Sequence, residues 1–335
     1  MEELPRISII IPIFNEEKYI ARCLDSIIES DYDKSKLEVL LVDGGSEDKT
    51  IEIIKKYQKK YSYFKLLNNP EKIVPVAMNI GIKKAKGEYI IRLDAHSCYT
   101  KDYFKKLIFW HKKLNADNVG GVVITEVKNK TLTSNAIKNV LSDKFGVGSA
   151  FRSGVSEIKE VDTVPFGCYK REVFEKIGLY DERLVRNQDI ELNKRLKKNG
   201  GKIYLIPEIK CTYFARETFK DLAINNFNNG LWNILTAYYT NSISSLSFRH
   251  FVPLLFVLSL MFSFFLGFFS KYFFYLFLDI LILYLSIISI RSFQIRKETT
   301  FFHQLMSFLV LHFSYGIGSL IGILKFLKEK YDKRK

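Results

Sequence analysis

The chain has 335 residues, 15% of them aromatic, and a net charge of +15, enough length to bury one large core or two smaller ones. A basic excess suits nucleic acid, anionic lipid or an anionic small substrate, but no zinc-finger spacing or aromatic RNA-binding motif accompanies it, so no nucleic acid partner is expected. The four cysteines, Cys23, Cys98, Cys168 and Cys211, lie without C-x-x-C pairing, which suits reduced thiols and argues against a disulfide framework or structural zinc. "MEELPRISIII" has no basic region ahead of its apolar run, so no cleavable signal peptide is expected.

"ISIIIPIF" (7–14) is nearly all apolar, as a strand buried on both faces must be. "EEKYIARCLDSIIES" follows with helical spacing. "LEVLLVD" (37–43) reads as a second buried strand. "GGSEDKTIEIIKKYQKKY" then gives a tight turn, Ser46 as N-cap, and a helix. "VAMNIGIKKAKG" predicts a helix closed by Gly87, and "EYIIRLD" another strand. This β-α-β-α order predicts an α/β fold with a doubly wound, largely parallel sheet and ligands at the carboxyl ends of its strands. Asn15, Asp43 and Asp94 all fall at such ends.

Residues 217–240 place Phe219, Leu222, Ala223, Phe227, Leu231, Trp232 and Leu235 near one helical face. An interfacial helix fits, since Trp and Tyr favour the headgroup boundary; so does an ordinary amphipathic helix. Three apolar segments follow, 251–269, 272–290 and 301–324. Nineteen helical residues reach about 28 Å, close to the hydrocarbon thickness of a bilayer. The expected organisation is therefore a domain over 1–215, a linker over 216–248 and a membrane domain over 249–335 with a basic tail. Hydropathy counts three crossings. The basic stretch "RSFQIRKETT" and the tail "KFLKEKYDKRK" instead favour an even number, with both facing the cytosol.

Five motifs, taken in order, resemble the family 2 glycosyltransferases of GT-A fold: "IIPIFNEEKYIARCLDSI", "LLVDGGSEDKT", "RLDAH", "VPFGCYKREVFEKIGLYDE" and "RNQDIELNKRLKKNGGKIYLIP". The likeness is greatest to membrane-bound members of bacterial exopolysaccharide assembly of the succinoglycan type. It implies a GT-A type mixed sheet followed by transmembrane helices. It also implies a nucleotide-sugar donor, with Asn15 and Glu16 near the ribose or base and Asp43 accepting a hydrogen bond from the base. Asn15 as an N-cap and Asp43 as a turn residue are the structural alternatives.

Asp94 and His96 match the family's D-x-D metal motif. A divalent ion there, Mn2+ or Mg2+, countercharges the diphosphate as it leaves. Imidazole suits softer ions better than hard Mg2+, so Mn2+ is expected to serve at least as well. An imidazole titrating at about pH 6 implies falling activity in mild acid. Asp94 and His96 could instead cap a strand-end turn. Asp189 matches the family's general base, or else caps its helix, and Gln188 stands where the family has Glu. Glu191 is a supporting carboxylate only.

Gly167, in "VPFGCY", is expected to let a sugar ring approach the backbone, and Arg152 to meet a phosphate or solvent. "NFNNGLW" keeps Trp232 of an interfacial acceptor-contact motif but has Asn228 and Leu231 where processive members have Gln and Arg. The resemblance thus implies an inverting transferase adding a single sugar to a polyprenyl-linked glycan at the cytoplasmic membrane, multi-pass, with the catalytic domain facing the cytosol. A polyprenyl-phosphate sugar synthase and an inactive membrane-bound binding subunit are the alternatives. No G-x-G-x-x-G follows the first strand, which sets a dinucleotide oxidoreductase aside.

Overall fold

In a computed structural model, which describes residues 3–147, 150–240 and 248–332, the first apolar run forms β1 (Ile7–Ile13). There follow α1 (Ile20–Ile28), β2 (Leu37–Asp43), α2 (Thr50–Lys60), β3 (Phe64–Asn68), α3 (Val74–Lys84) and β4 (Tyr89–Arg92). These strands pair in parallel, with Ile13 opposite Asp43, Asp43 opposite Asn68, and Ile10 opposite Arg92. Ile7, Ile9 and Ile11 pack on one face with α1 and α2, while Ile10 packs on the other with α3. Burial on both faces is why the run is continuously apolar instead of alternating.

The elements that follow in the chain bring antiparallel strands and convert it to a mixed sheet. They are β5 (Ser97–Tyr99), α4 (Tyr103–Lys113), β6 (Asn118–Glu126), α5 (Leu132–Ser142), α6 (Ala150–Ser153), β7 (Lys159–Glu160), β8 (Cys168–Lys170), α7 (Arg171–Ile177), α8 (Gln188–Lys198) and β9 (Ile203–Phe214). Strand order is β3-β2-β1-β4-β8-β6-β9-β5, with β7 also on β9. β8 runs antiparallel to β4 and β6, as do β5 and β7 to β9. By contact the chain divides into two units, Met1–Ile124 with Ala150–Phe214, and Thr125–Ser149 with Ala215–Lys335.

Two local expectations are corrected. Ser46 does not cap α2, whose N-cap is Lys49; its hydroxyl donates to Asp43 Oδ1 at 2.6 Å instead. Gly87 does not close α3, which ends at Ala85. A Cβ at Gly87 would overlap the backbone of Ile7 and Ser8, so glycine there serves the close approach of β4 to β1.

His111 on α4 is wholly buried and its Nε2 donates to the Cys168 carbonyl at 3.1 Å. Burial, helped by the Lys170 charge, pushes its pKa down to about 4. With the folded value below the ordinary one of about 6.5, the stabilisation is complete above pH 6.5 and is lost as pH falls towards 4. It amounts to about 3 kcal/mol. The melting temperature of the parent chain should accordingly fall more between pH 7 and 4.5 than that of His111→Gln; parallel curves would show that His111 does not carry the acid sensitivity.

In the second unit, α9 (Phe219–Tyr239) precedes α10 (Val252–Leu266), α11 (Lys271–Ile295) and α12 (Phe301–Asp332). Residues 241–247 of the expected linker and 333–335 of the basic tail lie outside the described residues. Among the described residues two helices, α11 with 25 residues and α12 with 32, are long and apolar enough to cross a bilayer. The first of the three apolar segments is not: α10 has 15 residues and spans about 22 Å, short of a hydrocarbon core of about 30 Å. The apolar stretch of α11 is 6% buried and that of α12 39%, so α11 leaves most of its apolar surface uncovered.

The buried stripe of α9 is Leu222, Asn226, Gly230, Asn233, Leu235 and Thr236, more polar than the face drawn from its apolar spacing. α12 is the reason. A Cβ at Gly230 would overlap the Tyr315 carbonyl, and one at Gly318 the Phe227 carbonyl. Small residues let the two backbones close, and Asn233 donates to the Tyr315 hydroxyl across the seam.

Candidate active site

Parallel pairing brings the loops after β1 and β2 side by side, and side chains stitch them together. Asn15 adopts a left-handed backbone, φ 54°. Its N–H donates to Ser46 Oγ at 2.9 Å, and its Oδ1 accepts from the Glu47 N–H at 2.8 Å. The N–H of Glu16 donates to Thr50 Oγ1 at 2.8 Å. Asp43 accepts from the Gly45 N–H at 2.9 Å and from the Ser46 N–H and hydroxyl. Asn15 thus joins the two loops and is not an N-cap, while Asp43 shapes the turn. The result is a fixed double loop at the carboxyl end of the parallel strands.

Asp94 and His96 stand beside it, in the loop leaving β4. Glu16, expected at the nucleoside, instead reaches across so that its Oε1 lies 2.9 Å from His96 Nδ1. The imidazole meets the Tyr213 ring edge-on, centroids 5.0 Å apart. Burial alone would lower its pKa, but the Tyr213 phenol, the Glu16 hydrogen bond and the Glu16 and Asp94 charges raise it to about 9. A metal on this ring would have to displace a proton held more tightly than on an isolated imidazole, so the acid loss expected at about pH 6 would move to higher pH.

Asp94 and His96 offer one carboxylate and one imidazole, donor types that suit a divalent ion of the kind the motif implies. Among the described residues no three His, Cys, Asp or Glu side chains converge to hold a metal, and Asp94 with His96 supplies one oxygen and one nitrogen. Two protein ligands suit an ion whose other positions belong to phosphate oxygens and water. With Nδ1 facing Glu16, Nε2 is the ring nitrogen left for a metal, and a carboxylate on the far nitrogen is what metal-bound imidazoles usually carry.

Asp189 comes from helix α8, late in the chain, and arrives at the same place. It is the second residue of α8, whose N-cap is Asn187, so the capping alternative for Asp189 falls. Its carboxylate is 37% exposed and Oδ2 lies 3.7 Å from Arg92 Nη1, while Arg92 Nη2 lies 3.6 Å from Asp94 Oδ1. One guanidinium therefore stands between the two acids. Gln188 is buried, its Oε1 without a hydrogen-bond partner among the described residues. Glu191 is held by Arg195 at 2.7 Å, which leaves Asp189 as the open carboxylate of α8.

Other expected residues are placed differently. The space at Gly167 is filled from inside, since a Cβ there would meet Asn118 and the Tyr169 ring; its carbonyl accepts the Arg92 N–H at 3.1 Å. The strained neighbour is Phe166, φ 49°. Arg152 lies over the Tyr213 ring, 4.6 Å from its centroid. Trp232 is on α9, in the second unit. The residues that sequence reasoning passed over are Arg92 and Tyr213. Arg92 had a signal, a lone cation closing an apolar strand two positions before Asp94. Tyr213 had none, since β9 reaches His96 only through non-local pairing.

The sequence profile described as glycosyl transferase family 2 matches residues 8–178. The dolichyl N-acetyl-alpha-D-glucosaminyl phosphate 3-beta-D-2,3-diacetamido-2,3-dideoxy-beta-D-glucuronosyltransferase of Methanococcus voltae is 34% identical over 222 residues, 64% of this chain and 68% of that protein. Succinoglycan biosynthesis protein ExoA of Rhizobium meliloti is 28% identical over 224 residues, 66% of this chain and 67% of that one. The solved mannosyltransferase PcManGT from Pyrobaculum calidifontis, in complex with GDP-Man and Mn2+, matches with a TM-score of 0.59 at 15% identity, covering 93% of this chain and 87% of that one. At that identity the likeness speaks to the fold, a GT-A type mixed sheet.

Proposed function

The chain belongs to glycosyl transferase family 2, and from that premise we propose that it moves one sugar, with inversion, from a nucleotide-sugar donor to a polyprenyl-linked glycan at the cytosolic face of a membrane. The observation that carries this reading is the convergence of Asp94 and Asp189 on one guanidinium, from segments nearly a hundred residues apart in the chain. In this reading the nucleoside sits against the loops that carry Asn15 and Asp43, with the diphosphate towards Asp94 and His96. Glu16 acts by orienting His96. A divalent ion held by Asp94 and His96 would countercharge the diphosphate.

Asp189 takes the proton of the acceptor hydroxyl as its oxygen bonds to the anomeric carbon. The bond from that carbon to the diphosphate oxygen breaks on the opposite face, and the electron pair leaves with the nucleoside diphosphate. One displacement inverts the centre, so one base suffices. Gln188, next to the base, has a buried Oε1 without a partner among the described residues and would meet a sugar or acceptor hydroxyl only if its side chain turned outward.

The lipid-linked acceptor is supported by the outward apolar surface of α11 and by the dolichyl phosphate in the printed name of the Methanococcus relative. A polyprenyl carrier keeps its head group at the membrane surface, where a tethered transferase meets it. Asn135 and Asn139 of α5 donate to the Glu298 and Lys297 carbonyls, so the basic stretch between α11 and α12 is tied to α5 within the second unit. Membranes carrying the chain, given a panel of nucleotide sugars and a polyprenyl-diphosphate-linked sugar, should yield a lipid heavier by one sugar residue. A mass gain on polyprenyl phosphate alone would make it a polyprenyl-phosphate sugar synthase, and no gain from any donor would defeat the reading.

A further inference from the structure

Arg92 is a buried cation placed where neither the resemblance nor the comparisons assign a role. Its side chain is 15% exposed, and its Nε is buried with no hydrogen-bond partner among the described residues. Burial works against the charge, and Asp94 and Asp189 outweigh it, so the guanidinium stays protonated. The backbone beneath is fixed, because Arg92 closes β4 opposite Ile10 of β1 and donates its N–H to Gly167 next to β8. The planar fork is spread over two acids, one nitrogen to each, at 3.6 and 3.7 Å. A structural ion pair would close bidentate on one carboxylate at hydrogen-bond distance.

We propose that Arg92 is a positioning residue for the transfer: its guanidinium, anchored in the centre of the sheet, sets where the Asp189 carboxylate stands relative to Asp94. Two carboxylates brought towards one diphosphate repel each other and the substrate. A fixed cation between them removes that repulsion and aims the base at the acceptor hydroxyl. Lysine carries the charge on a single point and cannot span both acids. The inference rests on Asp189 as the base, and it goes further by naming what holds that base in place.

The test is Arg92→Ala and Arg92→Lys in the full chain, assayed for sugar transfer with donor varied. A base misplaced by about 1 Å loses about 100-fold in rate. The expected result is a kcat lower by about that factor for Arg92→Ala, a smaller loss for Arg92→Lys, and a donor KM nearly unchanged in both. Millimolar guanidinium should restore part of the Arg92→Ala rate and none of the Arg92→Lys rate, where the amine fills the space. A donor KM that rises while kcat holds would make Arg92 a diphosphate ligand and overturn the proposal. So would unchanged kinetics, or a folded Arg92→Ala that guanidinium leaves untouched. If Arg92→Ala fails to fold, Arg92→Lys alone decides by the same split between kcat and KM. An inactive parent chain would instead defeat the transferase reading itself.

Discussion

Asp189→Asn should lower the rate of sugar transfer by about 100- to 10,000-fold while leaving donor binding in place. The amide has the shape of the carboxylate but cannot accept the acceptor's proton. No neighbour can substitute, because Glu191, the other acid at the start of α8, is held by Arg195 at 2.7 Å. The side chain is 37% exposed and its removal leaves no cavity, so the variant should melt close to the parent. The size of the loss also separates two acceptors. A sugar hydroxyl must shed its proton as it attacks, whereas a phosphate oxygen is already ionised. A loss under about tenfold would therefore point to phosphate as nucleophile, and to Asp189 as a group that aids binding. A complete loss of donor binding would remove Asp189 from the role of base altogether.

The parallel half of the sheet was legible because burial on both faces writes a continuous apolar run. β2 falls on residues 37–43 as expected, and β1 stops one residue short, at Ile13. Even there one carboxylate hides: Glu38 is 1% exposed, accepting from Ser8 at 2.8 Å and Lys65 at 2.7 Å. Local polarity decides more than position does at the turns. Ser46 looked like a cap from its place before a helix, yet Asp43 and Asn15 are closer partners in space.

The antiparallel half was not legible in the same way. β5 and β8 have three residues each and β7 has two, too short to carry a period. They exist because β9, with 12 residues, pairs with distant segments. The site follows the same rule. Asp94 and Asp189 could be singled out by motif, but that one arginine faces both required coordinates. Glu16 shows the limit of carrying a role over by sequence alone: its neighbour in the chain is Asn15, and its partner in the site is His96.

Stripping divalent ions with a chelator should abolish transfer, and Mn2+ should restore it at least as well as Mg2+. A hard Mg2+ ion prefers oxygen, and one imidazole nitrogen beside one carboxylate tilts the choice towards a softer ion. Asp94→Asn should cost about 1000-fold or more, since the charge that grips the ion is lost while the Arg92 cation remains nearby. Glu16→Gln keeps a partner for His96 Nδ1 but loses the negative charge behind the ring. It should weaken Mn2+ binding about 10- to 100-fold, as outer-shell changes do. The free-ion signal of Mn2+ in electron paramagnetic resonance reads this directly, without turnover. Strong Mg2+ preference, together with unchanged Mn2+ binding in both Glu16→Gln and His96→Ala, would show that the imidazole does not touch the ion. Asp94 would then hold it with substrate oxygens alone, and the Glu16–His96 pair would be a latch between the first loop and the loop after β4.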